Sequence, residues 1–192
     1  MGASGDKLLF TITGPSGVGK TTINKKIVEM AGLGVKKVVT CTTRGNRPDE
    51  KDGLDYHFLT QEQFLQDIKN GEFLEFASVY GRYYGSKRKH VEEVFSLGYK
   101  PVACVDVQGA QSIKKNYHPN TSIFITTENV EELKKRLIER GADSNEEIER
   151  RLRMAPIEFS QARFFDYVVE NPYGMLELAV VKVAEIIKRE IQ

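Results

Sequence analysis

The sequence predicts an α/β fold, a largely parallel sheet with helices around it, interrupted by a β-rich insert. Three observations predict it. Apolar β-forming runs alternate with segments of helical period along most of the chain. That alternation breaks between about Arg44 and Tyr84, where short strands crowd together. The chain has 192 residues, 40% hydrophobic and 29% charged, which suits one ordinary globular domain with inserted subdomains.

The elements follow in order. Lys7 to Thr13 (KLLFTIT) is rich in β-formers and ends at Gly14. From Gly19 to Ala31, Ile23, Ile27 and Met30 share one helical face. Val35 to Cys41 reads as a second strand. Thr60 opens a helix to Asn70 with a capping box to Gln63. Glu72 to Tyr80 reads as strand, Lys87 to Leu97 as helix, Pro101 to Asp106 as a short buried strand and Gln108 to Asn116 as helix. Ser122 to Thr126 is a strand and Glu128 to Arg140 a helix stopped at Gly141. Ser144 caps the next helix, with Glu147 completing its box, and Pro156 predicts a kink in it. Tyr167 to Glu170 and Tyr173 to Ile191 are the last strand and helix.

Composition excludes several classes of function. Lys and Arg number 28 against 27 Asp and Glu, so no broad basic surface exists for nucleic acid. No apolar run approaches the ~20 residues of a membrane span. MGASGDK lacks the basic and apolar regions of a secretory signal, and Asp6 stands where a myristoylation pattern wants Ser or Thr. Cys41 and Cys104 form no CxxC, and His57, His90 and His118 have no metal-ligand spacing. A reduced, cytoplasmic protein with no zinc site is expected.

Gly14-Pro15-Ser16-Gly17-Val18-Gly19-Lys20-Thr21 fits G-x-x-x-x-G-K-[ST] at every fixed position, between a strand and a helix. Such a P-loop turns backbone amides and a helix N-terminus toward phosphate oxygens. Lys20 supplies a cation to the β- and γ-phosphates, and the Thr21 hydroxyl can hold Mg²⁺. Glycines at 14, 17 and 19 do not make the dinucleotide pattern G-x-G-x-x-G. Downstream, Arg44 and Arg47 flank a Gly-Asn turn. Two close guanidinium groups repel each other but suit a doubly charged phosphate gripped bidentately.

The segments GPSGVGK, TTRGNRP, DGLDYHF, GEFLEFA, YYGS, DVQGAQ, RLIERGADS, RRL and FDYVVEN together resemble guanylate kinases, from about Leu8 to the final helix. The resemblance implies one domain. Its P-loop core covers about 1–39, 97–128 and 160–192, its GMP-binding insert about 40–96, and its helical lid about 129–159. It implies that Arg44, Arg47, Tyr56 and Tyr84 hold the GMP phosphate, while Thr40, Glu75, Ser86 and Asp106 surround guanine. It implies that Gly14 to Lys20, Thr21, Thr22 and Asn171 bind ATP, with Thr21 on Mg²⁺. Lys20, Arg44, Arg140 and Arg151 form the catalytic set by the same resemblance, with Arg136 a weaker third arginine of the lid. The chemistry agrees at Glu75, because a carboxylate accepts from both guanine N1–H and the 2-amino group, whereas adenine offers a lone pair at N1.

Two departures stand out. Thr40 replaces the usual Ser and keeps the hydroxyl. Cys104 replaces the usual acidic residue two positions before Asp106. Either Asp106 carries the acidic role, or GMP affinity and metal positioning are weaker. The implied reaction is ATP + GMP = ADP + GDP. A monomer is expected, with ATP and GMP its only partners and no nucleic acid or membrane. Two other readings are a scaffold domain that kept the fold without activity and a P-loop GTPase. The intact loop and arginines oppose the first, and the lack of N-K-x-D opposes the second.

Overall fold

The computed structural model describes residues 7–48, 50–79 and 81–192. The readings placed on Met1–Asp6 and on Tyr80 lie outside them. The chain runs β1 (Leu9–Thr13), α1 (Lys20–Glu29), β2 (Val35–Lys37), β3 (Thr40–Thr42), β4 (Tyr56–Phe58), α2 (Gln61–Lys69), β5 (Phe73–Val79) and β6 (Arg82–Lys87). It continues with α3 (Arg88–Ser96), β7 (Lys100–Cys104), α4 (Val107–Asn116), β8 (Asn120–Thr126), α5 (Val130–Arg140), α6 (Asn145–Ser160), a 3₁₀ turn at Gln161–Phe164, β9 (Tyr167–Glu170) and α7 (Leu176–Ile191). One sheet has the order β2-β7-β1-β8-β9 and the other β4-β3-β6-β5.

The chain divides into two compact units, residues up to 11 with 34–121, and residues 12–33 with 122–192. In the first, β2 and β7 pair in parallel, with Val35 opposite Lys100. The four-stranded sheet has its own small core of Cys41, Phe64 and Phe73, covered by Leu59, Ile68 and Tyr83. Phe64 and Phe73 stack with ring centroids 4.3 Å apart. In the second unit, β8 and β9 pair in parallel, with Ile123 opposite Tyr167. Ile23, Ile27, Ile125, Leu133, Leu137, Val183 and Ile187 are fully buried there. Burying each such side chain is worth about 1.5–3 kcal/mol.

Three expectations need correction. The single strand expected from Val35 to Cys41 is two: β2 pairs with β7, with Val38 N–H still donating to the Val102 carbonyl at 2.9 Å, and β3 joins the other sheet. The strand expected to reach Asp106 stops at Cys104, and Asp106 becomes the N-cap of α4, accepting from Gln108 N at 2.8 Å and Gly109 N at 3.1 Å. At α6 the Ser144 hydroxyl caps as expected, accepting from Glu147 N at 3.3 Å. The Glu147 carboxylate does not return to the cap, however, since it is drawn to Arg150 and Arg151. The box at Thr60 and Gln63 forms in full. Helix α6 runs on through Pro156.

Candidate active site

The P-loop residues expected to bind a triphosphate lie in the second unit. Strand β1 ends at the loop, and Gly14, Gly17 and Gly19 adopt φ of 135°, 96° and 96°. Only glycine takes these values without strain. A Cβ on Gly14 would also overlap the Ile125 carbonyl. Helix α1 starts at Lys20 with Gly19 as its N-cap and no side-chain cap, which leaves its terminal amides for an anion. Lys20 Nζ donates to the carbonyls of Gly14 at 2.6 Å and Pro15 at 2.8 Å. Thr21 and Thr22 are exposed in the first turn of α1.

Arg151 on α6 donates to Ser16 Oγ of this loop and is braced by Asp143 and Glu147. Arg140 pairs with Asp143 as well, so one carboxylate links both lid arginines named from the sequence. Arg136 donates to Glu132 and to the Asn171 carbonyl. Asn171 is buried, and its Nδ2 donates to the Val18 carbonyl at 2.9 Å while its Oδ1 has no partner among the described residues. Gly17, Gly19, Thr22, Arg136, Asn171 and Tyr173 line a pocket of about 230 Å³.

The first unit carries the cationic pincer. Arg44 Nη2 donates to both oxygens of Glu50, at 2.7 and 2.8 Å. The backbone N–H of Arg47 donates to Glu50 Oε2 at 2.9 Å, and its guanidinium lies 3.7 Å from Oε1. The Arg44 guanidinium sits 5.6 Å from the Tyr56 ring centroid, and Tyr84 meets Tyr56 edge-on at 6.4 Å. Arg44 and Arg47 therefore meet at one carboxylate, with the Tyr56 ring beside Arg44 and Tyr84 beside Tyr56. Burial pushes the Tyr56 phenol well up, so it stays a hydrogen-bond donor at neutral pH.

Beside them β5 and β6 place Glu75 directly across from Ser86. Glu75 is 3% exposed; Ser86 Oγ donates to its Oε1 at 2.7 Å, and its Oε2 has no partner among the described residues. Burial pushes this carboxyl up to about 8, against the pull of the Ser86 bond and with the help of Asp106's charge. Thr40 is buried in register with Tyr56. Cys104 is half-buried at the end of β7, within electrostatic reach of Lys37 and Tyr56.

The family model for guanylate kinase matches residues 7–190. The chain belongs to the guanylate kinase family. A guanylate kinase of Symbiobacterium thermophilum is 40% identical, over 95% of this chain and 85% of that protein. One from Thermotoga maritima is 41% identical over 95% and 86%. The crystal structure of guanylate kinase from Anaplasma phagocytophilum superposes with a TM-score of 0.77 at 31% identity, over 95% of this chain and 85% of that one.

Against that family background, sequence reasoning missed Glu50 and Asp143. Both are carboxylates that answer the charge of candidate arginines, Glu50 for Arg44 and Arg47, Asp143 for Arg140 and Arg151. The signal was present in part. An arginine pair too close for mutual repulsion needs a nearby anion, and Glu50 lies three residues beyond Arg47.

Proposed function

We propose that this guanylate kinase transfers the γ-phosphoryl group of ATP to GMP, forming ADP and GDP. The observation that most supports GMP over other monophosphates is Glu75, a buried carboxyl with one oxygen lacking a donor. Guanine brings two donors on one edge, N1–H and the 2-amino group. A buried acceptor without a donor carries a desolvation penalty of about 1–3 kcal/mol, which a matching base relieves and a mismatched base does not.

The acceptor needs no general base. A phosphomonoester has its second pKa near ~6, so its attacking oxygen is already anionic at neutral pH. The obstacle is repulsion between two anions. Arg44 and Arg47 neutralise the acceptor phosphate, with Tyr56 and Tyr84 as further donors. Lys20, Arg140 and Arg151 offset charge on the donor and on the group in transit. Lys20 leaves the Gly14 and Pro15 carbonyls for phosphate oxygens as the nucleotide enters. Asn171 Oδ1 accepts from the adenine amino group in the pocket beside Gly19. Positioning and electrostatic stabilisation then carry the step.

The donor side fits Mg²⁺. Thr21 offers a hard hydroxyl oxygen at an exposed first turn. Among the described residues no group of three or more His, Cys, Asp and Glu could hold a metal, so the ion would sit on phosphate oxygens and Thr21. When bound it neutralises phosphate charge. Asp106 and Thr40 are assigned to the guanine end, the insert 40–96 to the acceptor and the segment 129–159 to the lid. Among the described residues no helix is long and apolar enough to cross a membrane. A cytoplasmic monomer accompanies this reading, and gel filtration checks its size.

The deciding experiment is a coupled assay of ADP release with ATP and each of GMP, AMP, CMP and UMP. GMP alone should support turnover, and Lys20→Ala should lose it with the circular-dichroism spectrum unchanged. Equal turnover of AMP would sink the assignment of Glu75.

A further inference from the structure

Gly109 is the third residue of α4, and nothing in its backbone calls for glycine. Its φ is not positive, unlike that of the loop glycines. Within a helix, glycine costs about 1 kcal/mol relative to alanine. Gly109 is also buried, where a methyl group would normally add favourable packing. Two stabilising contributions are therefore forgone at one position.

The reason lies across from it. A Cβ on Gly109 would stand 3.0 Å from Glu75 Cδ and closer still to Oε2. Both sides of this contact are fixed. Glu75 sits in β5 opposite Ser86, whose hydroxyl holds Oε1 at 2.7 Å. Helix α4 is tied at its start, where Asp106 accepts from the amides of Gln108 and Gly109. Val105 Cβ, at 3.5 Å, closes another side of the same space. A methyl group there would have to displace the carboxyl, the helix or both.

We propose that Gly109 is a specificity-positioning residue: its missing side chain makes the space in which the Glu75 carboxyl lies at the depth required to read guanine. This rests on the assignment of Glu75 as the base-reading group. Gly109 touches neither substrate nor reacting atoms, and it acts through Glu75.

The test compares Gly109→Ala, Glu75→Asp, the double variant and Glu75→Gln. For each, kcat/KM is measured with GMP and with inosine monophosphate, which lacks the 2-amino group, along with KM for ATP and thermal unfolding. Gly109→Ala should raise KM for GMP on the order of 10-fold or more with KM for ATP unchanged, and should erode the preference for GMP over inosine monophosphate. Aspartate is one methylene shorter, so Gly109→Ala should cost little further in the Glu75→Asp background. If Gly109→Ala alone fails to fold, a folded double variant supports the proposal and an unfolded one overturns it. A Gly109→Ala enzyme with its base preference intact, or the same loss in both backgrounds, also overturns it. The underlying assignment fails separately, when Glu75→Gln leaves the preference unchanged.

Discussion

Ser86 Oγ reaches Glu75 Oε1 at 2.7 Å across paired strands, while Glu75 Oε2 in the same carboxyl meets no hydrogen-bond partner among the described residues. Ser86 is itself fully buried, so its hydroxyl serves the carboxyl. In the carboxylate form that accepts from guanine, a hydrogen bond to the charged group contributes about 1.5–3 kcal/mol. Ser86→Ala should therefore raise KM for GMP on the order of 10-fold or more, leaving KM for ATP unaltered. Steady-state kinetics with each substrate varied in turn checks this, and matched losses for both nucleotides would contradict it.

The same carboxyl predicts a pH dependence. With its value near 8, raised chiefly by burial, Glu75 is mostly protonated at pH 7 in the free protein. Accepting from both guanine donors requires the carboxylate, so GMP binding should release protons. Affinity should climb between about pH 6 and 8, by at most about tenfold per unit, and level off above. Stability runs the other way. The folded state holds this proton and the unfolded chain, near 4.5, does not, so the group's contribution is full below about 4.5 and is lost as pH rises toward about 8. Glu75→Gln should flatten that slope and unfold at a higher temperature than the parent at pH 8. Calorimetry in two buffers of different ionisation enthalpy counts the protons. Proton uptake, or no release beyond that of Glu75→Gln, would contradict the prediction.

Much of this was legible in the chain. The loop at Gly14 to Thr21 is written in local conformational needs, so its glycines mark it directly. The capping box at Thr60 and Gln63 was equally local, and it formed as read. What stayed hidden depends on neighbours distant in sequence. Strand β3 leaves the first sheet because pairing with β4 and β6 draws it to the second, a choice no local pattern records. Strand β6 was missed because Arg82 to Lys87 mixes charged, aromatic and small residues without clean alternation. Glu147 matched a capping box, yet the nearby arginines drew its carboxylate more strongly than one backbone amide. The grouping of Arg44, Arg47, Tyr56 and Tyr84 followed from family resemblance, whereas the carboxylate between the two arginines came only from geometry.

Glu50 takes close bonds from Arg44 Nη2 and the Arg47 amide, while Arg44 Nη1 donates to the Gly45 carbonyl at 2.6 Å. The role of Glu50 is then to orient the pincer. The side chains of Arg44 and Glu50 are 16% and 15% exposed, so the pair is only weakly screened by solvent. Glu50→Gln should cost about 1–3 kcal/mol of stability, a fall in Tm of roughly 2–4 °C for each kcal/mol. It should also raise KM for GMP. Thermal melts and kinetics test both effects. Tighter GMP binding in the variant would mean that Glu50 competes with the phosphate.

Arg151 is held from two directions, with Ser16 of the loop on one side and Asp143 and Glu147 on the other. Its side chain is 12% exposed, so the guanidinium is oriented before any nucleotide arrives. An arginine placed in this way can stabilise charge that develops during transfer while contributing little to ground-state binding. Arginines in that role contribute about 10³–10⁵ in rate. Arg151→Ala should therefore lower kcat on the order of 10³-fold with KM for GMP nearly constant. Lysine keeps the charge but has no planar fork, and it cannot satisfy Ser16, Asp143 and Glu147 together. Arg151→Lys should recover only part of the loss. Asp143→Asn should lower kcat less than Arg151→Ala does, since Glu147 still braces the guanidinium. Rapid-quench single-turnover rates separate chemistry from product release. An Arg151→Ala enzyme that keeps its chemical rate and loses only ATP affinity would assign this arginine to nucleotide binding instead.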